Sequence, residues 1–224
     1  MRLRKASGIL GDRRLIRLAV LHSVSMGLSV ITANWVVPLL VRRSFTPVRA
    51  GLVGSLVLVG GFIGRPTAGW MEARRSRWTH PLLVACLGTG CLSTATLALT
   101  STPGMAIVAA GFLGLAAGVP FATIFTTSPR VRPEAPAAAI AFVNMCGNLT
   151  AVVGTPLLGA AFSLPDGARW SFLGIALLWA VPLLTLRKAD PVAGRDAVFL
   201  PRSEAQAIDR GDRATAPRLP SAPE

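Results

Sequence analysis

The sequence predicts an all-α integral membrane protein, a bundle of six transmembrane helices. Three observations predict it. The chain is 52% hydrophobic, only 15% of its 224 residues are charged, and its mean hydropathy is +0.56, values that belong to membrane proteins rather than soluble domains. Six apolar stretches, at about 18–40, 50–71, 80–100, 104–128, 137–163 and 170–186, approach the roughly 20 residues a helix needs to cross the hydrocarbon core. The connections between them are short, as in an up-and-down bundle.

Residues 1–17 form a basic N-terminal segment ahead of the first stretch, which is long enough to be kept as a span rather than removed as a leader. That first span carries His22, Ser25, Ser29 and Thr32, spaced three, four and three, with Asn34 nearby. On a continuous helix the four share a face. Polar groups in lipid turn toward a neighbouring helix or a wet path, so this face is a substrate path or a seam of interhelical hydrogen bonds.

Thr46-Pro47 starts the second span, Thr102-Pro103 the fourth and Pro165-Asp166-Gly167 the sixth, each supplying helix-start chemistry. In the second span Gly54, Gly61, Arg65 and Gly69 follow seven, four and four residues apart, and in the fourth Gly114 and Gly118 form a GxxxG pair. Such small residues let membrane helices approach closely. Pro120, Pro156 and Pro182 are expected to kink or break their helices. Residues 18–188 thus make the transmembrane domain. The segment 189–224, rich in Pro, Ala, Arg and Asp, has too little apolar surface to fold alone and is expected to be a disordered tail.

The net charge of +13 sits in turns and termini, where it orients a membrane protein rather than binding nucleic acid. One side of the bundle holds the Lys and Arg of residues 2–17, Arg74, Arg75, Arg77, Arg130, Arg132, Arg187 and Lys188; the other holds Arg42, Arg43, Arg49 and Arg169. The bias places both termini in the cytoplasm of a multi-pass cell-membrane protein.

Arg65 lies within an apolar run, where an ionisable residue is by default a candidate functional site. Its guanidinium suits a planar oxyanion. It also stands about six residues from the span's end, about 9 Å along the helix, so a snorkelling role is the alternative. Asn144 and Asn148, four apart in the fifth span, share a face and can donate to an anion or bond across helices. His22 could titrate near neutral pH and is a candidate proton site.

The second span ends in Gly69-Trp70-Met71-Glu72-Ala73-Arg74-Arg75-Ser76-Arg77-Trp78. This resembles the loop motif of the major facilitator superfamily, matching at Gly69, Arg74 and Arg77. Ala73 replaces the motif's Asp, Ser76 its Gly and Trp78 its last basic residue. Motifs so altered are usual in the second six-helix half. Ala141 to Asn148, followed by Gly154-Thr155-Pro156-Leu157-Leu158-Gly159, looks like the penultimate helix of such transporters. The resemblance covers about 15–188 and implies the C-terminal half of a major facilitator fold, working with a second six-helix half or a second copy of itself. Arg65-Pro66-Thr67-Ala68-Gly69-Trp70 resembles the arginine-bearing stretch of nitrate/nitrite porters. That resemblance implies a small-anion substrate with Arg65 as principal ligand. In the superfamily the first helix of each half lines the cavity, which implies Ser25, Ser29, Thr32 and Asn34 as further lining, and Asn144 and Asn148 are candidate donors beside them. Export of an organic solute or drug, a non-transporting membrane subunit and a truncated remnant are the alternatives.

An enzyme is not expected, nor a cofactor or a metal. Cys86, Cys91 and Cys146 are odd in number, and the five-residue separation of the first two is not a metal spacing. Gly27-Leu28-Ser29 resembles a nucleophile turn, but His80 is at an interface and no later span has a His, so a Ser–His pair cannot form. No Gly-Lys-Ser/Thr phosphate loop is present. All ten acidic residues fall outside the spans, an absence that favours anion exchange over carboxylate-relayed proton coupling.

Overall fold

The computed structural model describes residues 11–74 and 79–185. The basic residues at 2–5, 75, 77, 187 and 188, including the motif residue Arg77, and the segment 189–224 lie outside the described residues. All regular structure among the described residues is helical, and six helical segments are long and apolar enough to cross a membrane.

The first span runs Arg13–Arg42 in three pieces: α1 (Arg13–His22), a π-helical segment (Ser23–Leu28) and α2 (Ser29–Arg42). It starts five residues before the apolar stretch because Asp12 caps it, accepting from the Arg14 N–H at 2.9 Å. α3 (Pro47–Arg74), α4 (Thr79–Leu99), α5 (Pro103–Val131) and α6 (Pro136–Phe162) are the next four spans. Proline occupies the first turn of α3, α5 and α6, where its missing N–H costs nothing. The sixth span is α7 (Gly167–Leu178) and the short α8 (Val181–Thr185), separated by a turn at Trp179 and Ala180. Pro182 accounts for that break, since it cannot donate back to the previous turn. Pro120 and Pro156, expected to act likewise, sit in helices that continue through them.

The most extensive contact is between α3 and α5, and it is made by glycines. A Cβ on Gly114 would lie 2.4 Å from the Val57 carbonyl oxygen and 2.9 Å from the Gly60 Cα; one on Gly118 would lie 2.7 Å from the Gly61 oxygen and 3.0 Å from the Gly64 Cα. The Gly114–Gly118 pair therefore meets Gly60 and Gly64. The expected face of Gly54, Gly61 and Gly69 is corrected by this geometry. Gly54 packs on Val37 of α2, while Gly61 and Gly69 have only ordinary contacts, at 3.7 and 3.9 Å. Backbone-to-backbone approach of this kind is what drives association in lipid, where burial of apolar area gives no advantage.

A second set of glycines, on α6, seats the first span. Gly147 receives the His22 ring, Gly154 the Ile31 side chain and Gly159 the Trp35 indole, each at 2.8 Å or less from a hypothetical Cβ. Trp35 also donates from Nε1 to the Thr155 oxygen at 3.0 Å. On the opposite flank α4 packs on α5 and α7, with the fully buried Trp179 ring lying on Gly90. A methyl there would come within 2.3 Å of the indole. Gly90→Ala is accordingly expected to lower the thermal unfolding temperature in detergent, by an overpacking penalty of about 1–3 kcal/mol. Gly88→Ala, which meets nothing within 4 Å, serves as the control; equal effects of the two would contradict the packing.

Charged side chains tie the ends together. Near the start of the first span Asp12 accepts from Arg132 at 2.9 Å, and Arg132 also reaches Glu134 at 3.0 Å. These two carboxylates, Glu134 foremost, raise the Arg132 pKa above its ordinary value. At the opposite end Arg43 caps α4, donating to the carbonyl oxygens of Leu97 (3.2 Å), Thr100 (2.6 Å) and Ala98. Arg42 donates to the Phe162 oxygen at 2.7 Å, closing the end of α6. Cations at helix C-termini satisfy carbonyls that have no intrahelical donor.

Candidate functional site

Arg65 projects from α3 as an exposed side chain, and its guanidinium carbon stands 4.4 Å from the centroid of the Phe121 ring. That is a cation–π contact, worth about 0.5–2 kcal/mol. Phe121 stacks on Phe125 at 4.2 Å with 20° between the planes, and His22 meets both rings at 6.0 and 5.4 Å, the latter edge-on. Arg65, two phenylalanines and His22 thus form one continuous cluster across α3, α5 and the first span.

His22 is fully buried, and neither ring nitrogen holds a hydrogen bond of normal geometry. The half-buried Asn144 of α6 is its side-chain hydrogen-bonding neighbour, outside normal geometry, and Arg65 acts on it as a charge. The neighbouring Gly147 is what admits the ring: a Cβ there would lie 2.5 Å from Cδ2. A buried imidazole is costly unless it is hydrogen-bonded, and its place beside Asn144 and an arginine marks this as the most chemically loaded point of the described protein. Arg65 itself has no carboxylate partner among the described residues.

The other sequence-derived candidates are distributed around this cluster rather than within it. Ser25, Ser29 and Thr32 are buried inside the six-helix bundle. Ser29 donates to the Met26 oxygen and Thr32 to the Leu28 oxygen, both at 2.8 Å, so these hydroxyls bond within their own span and not across to another. Ser25 Oγ has no hydrogen-bond partner among the described residues. Asn34 and Asn148 are exposed, and their amides form no hydrogen bond among the described residues. Of the loop motif, Gly69 makes ordinary contact with Ala122, and Arg74 stacks over Trp70 at 4.4 Å.

Phe121 and Phe125 escaped the sequence reading. Their signal was present, as an aromatic pair four residues apart on a helix that also bears GxxxG. The π-helical segment was missed as well. Its Gly27 lies against Thr150, where a Cβ would come within 2.8 Å, and such segments are frequent at functional sites.

Six helices long and apolar enough to cross a membrane, two of them joined by a glycine crossing, are the architecture of a polytopic membrane protein. The chain matches the family model of the Major Facilitator Superfamily over residues 18–216, a stretch that takes in the first span from its sixth residue and the five spans after it, and passes beyond the last one. It belongs to that superfamily, whose members are membrane transporters and not enzymes. Comparison with curated proteins gives no match.

Proposed function

We propose that the chain is one six-helix half of a transporter that moves a small anion of the nitrate/nitrite type by alternating access. In this reading Arg65 is the principal ligand and Asn144 a second donor. The observation that supports it is the resting place of Arg65: an exposed guanidinium on the second span, held by an aromatic face and with no carboxylate partner among the described residues. A planar oxyanion would offer two charge-assisted hydrogen bonds, stronger than the ring contact it displaces. Ser25, Ser29, Thr32, Asn34 and Asn148 complete the proposed path. Opposing ligands come from a second six-helix half or a second copy. The bilayer is that of the cell membrane, with both termini cytoplasmic, and 189–224 serve as a cytoplasmic tail.

The decisive assay is anion uptake into vesicles holding both halves, comparing wild type with Arg65→Ala and Arg65→Lys. Unchanged uptake in Arg65→Ala would leave Arg65 as a snorkelling residue. A second reading, export of an organic solute, draws on the Phe121–Phe125 stack; efflux of an aromatic compound that survives Arg65→Ala would favour it. Stable co-purification with a partner but no flux would instead indicate a non-transporting subunit, and absence of both a remnant.

His22 is the proposed proton site. If it couples, uptake varies between about pH 5 and pH 8, and His22→Gln flattens that profile. A variant whose pH profile matches wild type would remove the imidazole from coupling.

A further inference from the structure

At the end of the bundle opposite Arg74 lies a cavity of about 420 Å³, remote from Arg65 and used by nothing described above. Its walls include Leu39, Arg42, Arg43, Leu99, Asp166 and the first turn of α7 with Arg169. Three arginines and one aspartate thus line the same cavity, and none of the four is in an ion pair among the described residues.

The three arginines are not equivalent. Arg42 is held by the Phe162 oxygen and stands 5.2 Å from that ring's centroid. Arg43 is committed to the end of α4; its burial and, second, the like charge of Arg169 lower its pKa from the ordinary value. Arg169 is exposed and holds no hydrogen bond among the described residues. With three arginines and one carboxylate in its wall the cavity carries a net positive charge, an arrangement that favours an anion.

The backbone adds donors at the same place. Asp166 occupies the N-cap of the 12-residue α7, but its φ of 51° is left-handed and its side chain makes no capping bond. Gly167 fixes this turn, for a Cβ on it would lie 1.9 Å from the Ala161 oxygen. Of the first N–H groups, Gly167 donates to the Leu164 oxygen and Trp170 to the Asp166 oxygen, leaving those of Ala168 and Arg169 without a backbone acceptor among the described residues. Free N–H groups at a helix start attract oxyanions. Leu99 in the wall is an exposed apolar side chain, and the exposed Val41 and Trp170 are the chain neighbours of Arg42 and Arg169; tryptophan is favoured at the level of lipid headgroups.

We propose that this cavity binds a phosphate-class oxyanion, foremost the phosphodiester headgroup of an anionic lipid. Arg169 and the Ala168 and Arg169 N–H groups are its primary donors, Arg42 and Arg43 supply flanking charge, and Asp166 opposes binding. The site is independent of the anion path at Arg65.

The test uses the full chain in phosphatidylcholine nanodiscs with rising fractions of phosphatidylglycerol, read as the thermal unfolding temperature. The expected result is a saturable rise. Arg169→Gln, which breaks no existing contact, moves half-saturation to about tenfold higher anionic lipid, the loss of one charge-assisted hydrogen bond. Asp166→Asn moves it lower. Inorganic phosphate added to pure phosphatidylcholine discs separates the sources: a saturable rise there assigns the site to the free anion, and a rise with phosphatidylglycerol alone assigns it to the headgroup. No saturable rise with either probe overturns the proposal. So does an equal loss in Arg49→Gln, an exposed arginine of the same end outside the cavity, because diffuse surface charge would then explain the effect.

Discussion

Arg65→Ala is expected to abolish anion uptake. Removing one partner of a desolvated, hydrogen-bonded charge pair costs about 2–5 kcal/mol, which is a loss of roughly thirtyfold to several thousandfold in affinity. Arg65→Lys should recover only part of this. Lysine keeps the charge but presents a point donor in place of a planar fork, and it stacks less well on Phe121. The pair of variants therefore separates two roles. A ligand predicts that lysine falls well short of arginine; a snorkelling residue predicts that both variants transport as wild type, because the span needs only an apolar stem at that depth. Phe121→Ala adds a graded intermediate, since it removes the rest position of the guanidinium and leaves the ligand itself.

Gly114→Leu is expected to dismantle the bundle. Even a methyl at Gly114 would lie 2.4 Å from the Val57 oxygen and 3.0 Å from the Gly61 nitrogen, and these are backbone atoms that cannot turn aside. A leucine adds three more carbons and must force α3 and α5 apart along their closest approach. Overpacking in a well-packed core costs about 1–3 kcal/mol, occasionally more, and here the helix pair loses the contact on which its association rests. The measurement is thermal unfolding in detergent followed by a thiol-reactive dye, which reports release of the buried Cys86. Gly111→Ala, one turn earlier on α5 and open to space within 4 Å, should unfold as wild type. A Gly114→Leu curve coincident with that control would refute the glycine crossing.

The spans were readable because length and hydropathy decide whether a helix can cross a bilayer, and both are properties of contiguous sequence. Their ends were less so. Asp12 extends the first helix into residues that hydropathy assigns to water, since a cap acts through one hydrogen bond that an average does not register. Choosing between Gly60 with Gly64 and Gly61 with Gly69 was beyond spacing alone. Both pairs fit a helical period, and only the position of α5 selects between them. Arg65 stood out as a lone charge, whereas Phe121 and Phe125 were lost among apolar neighbours whose rings matter through what lies above them. The polar stripe of the first span was assembled on the assumption of unbroken α geometry, which the π turn between His22 and Ser29 sets aside.

That π turn has a consequence for aim. Each residue of an α-helix advances about 100° around the axis, and a π turn accommodates an extra residue within the same stretch. The two ends of the first span are therefore out of phase with one another. Relative to Thr32, the imidazole is turned about 100° from the bearing an uninterrupted helix would give it. The offset points it at Phe125 and into the hollow above Gly147. The compass direction of the buried histidine is thus written in the winding of its own helix.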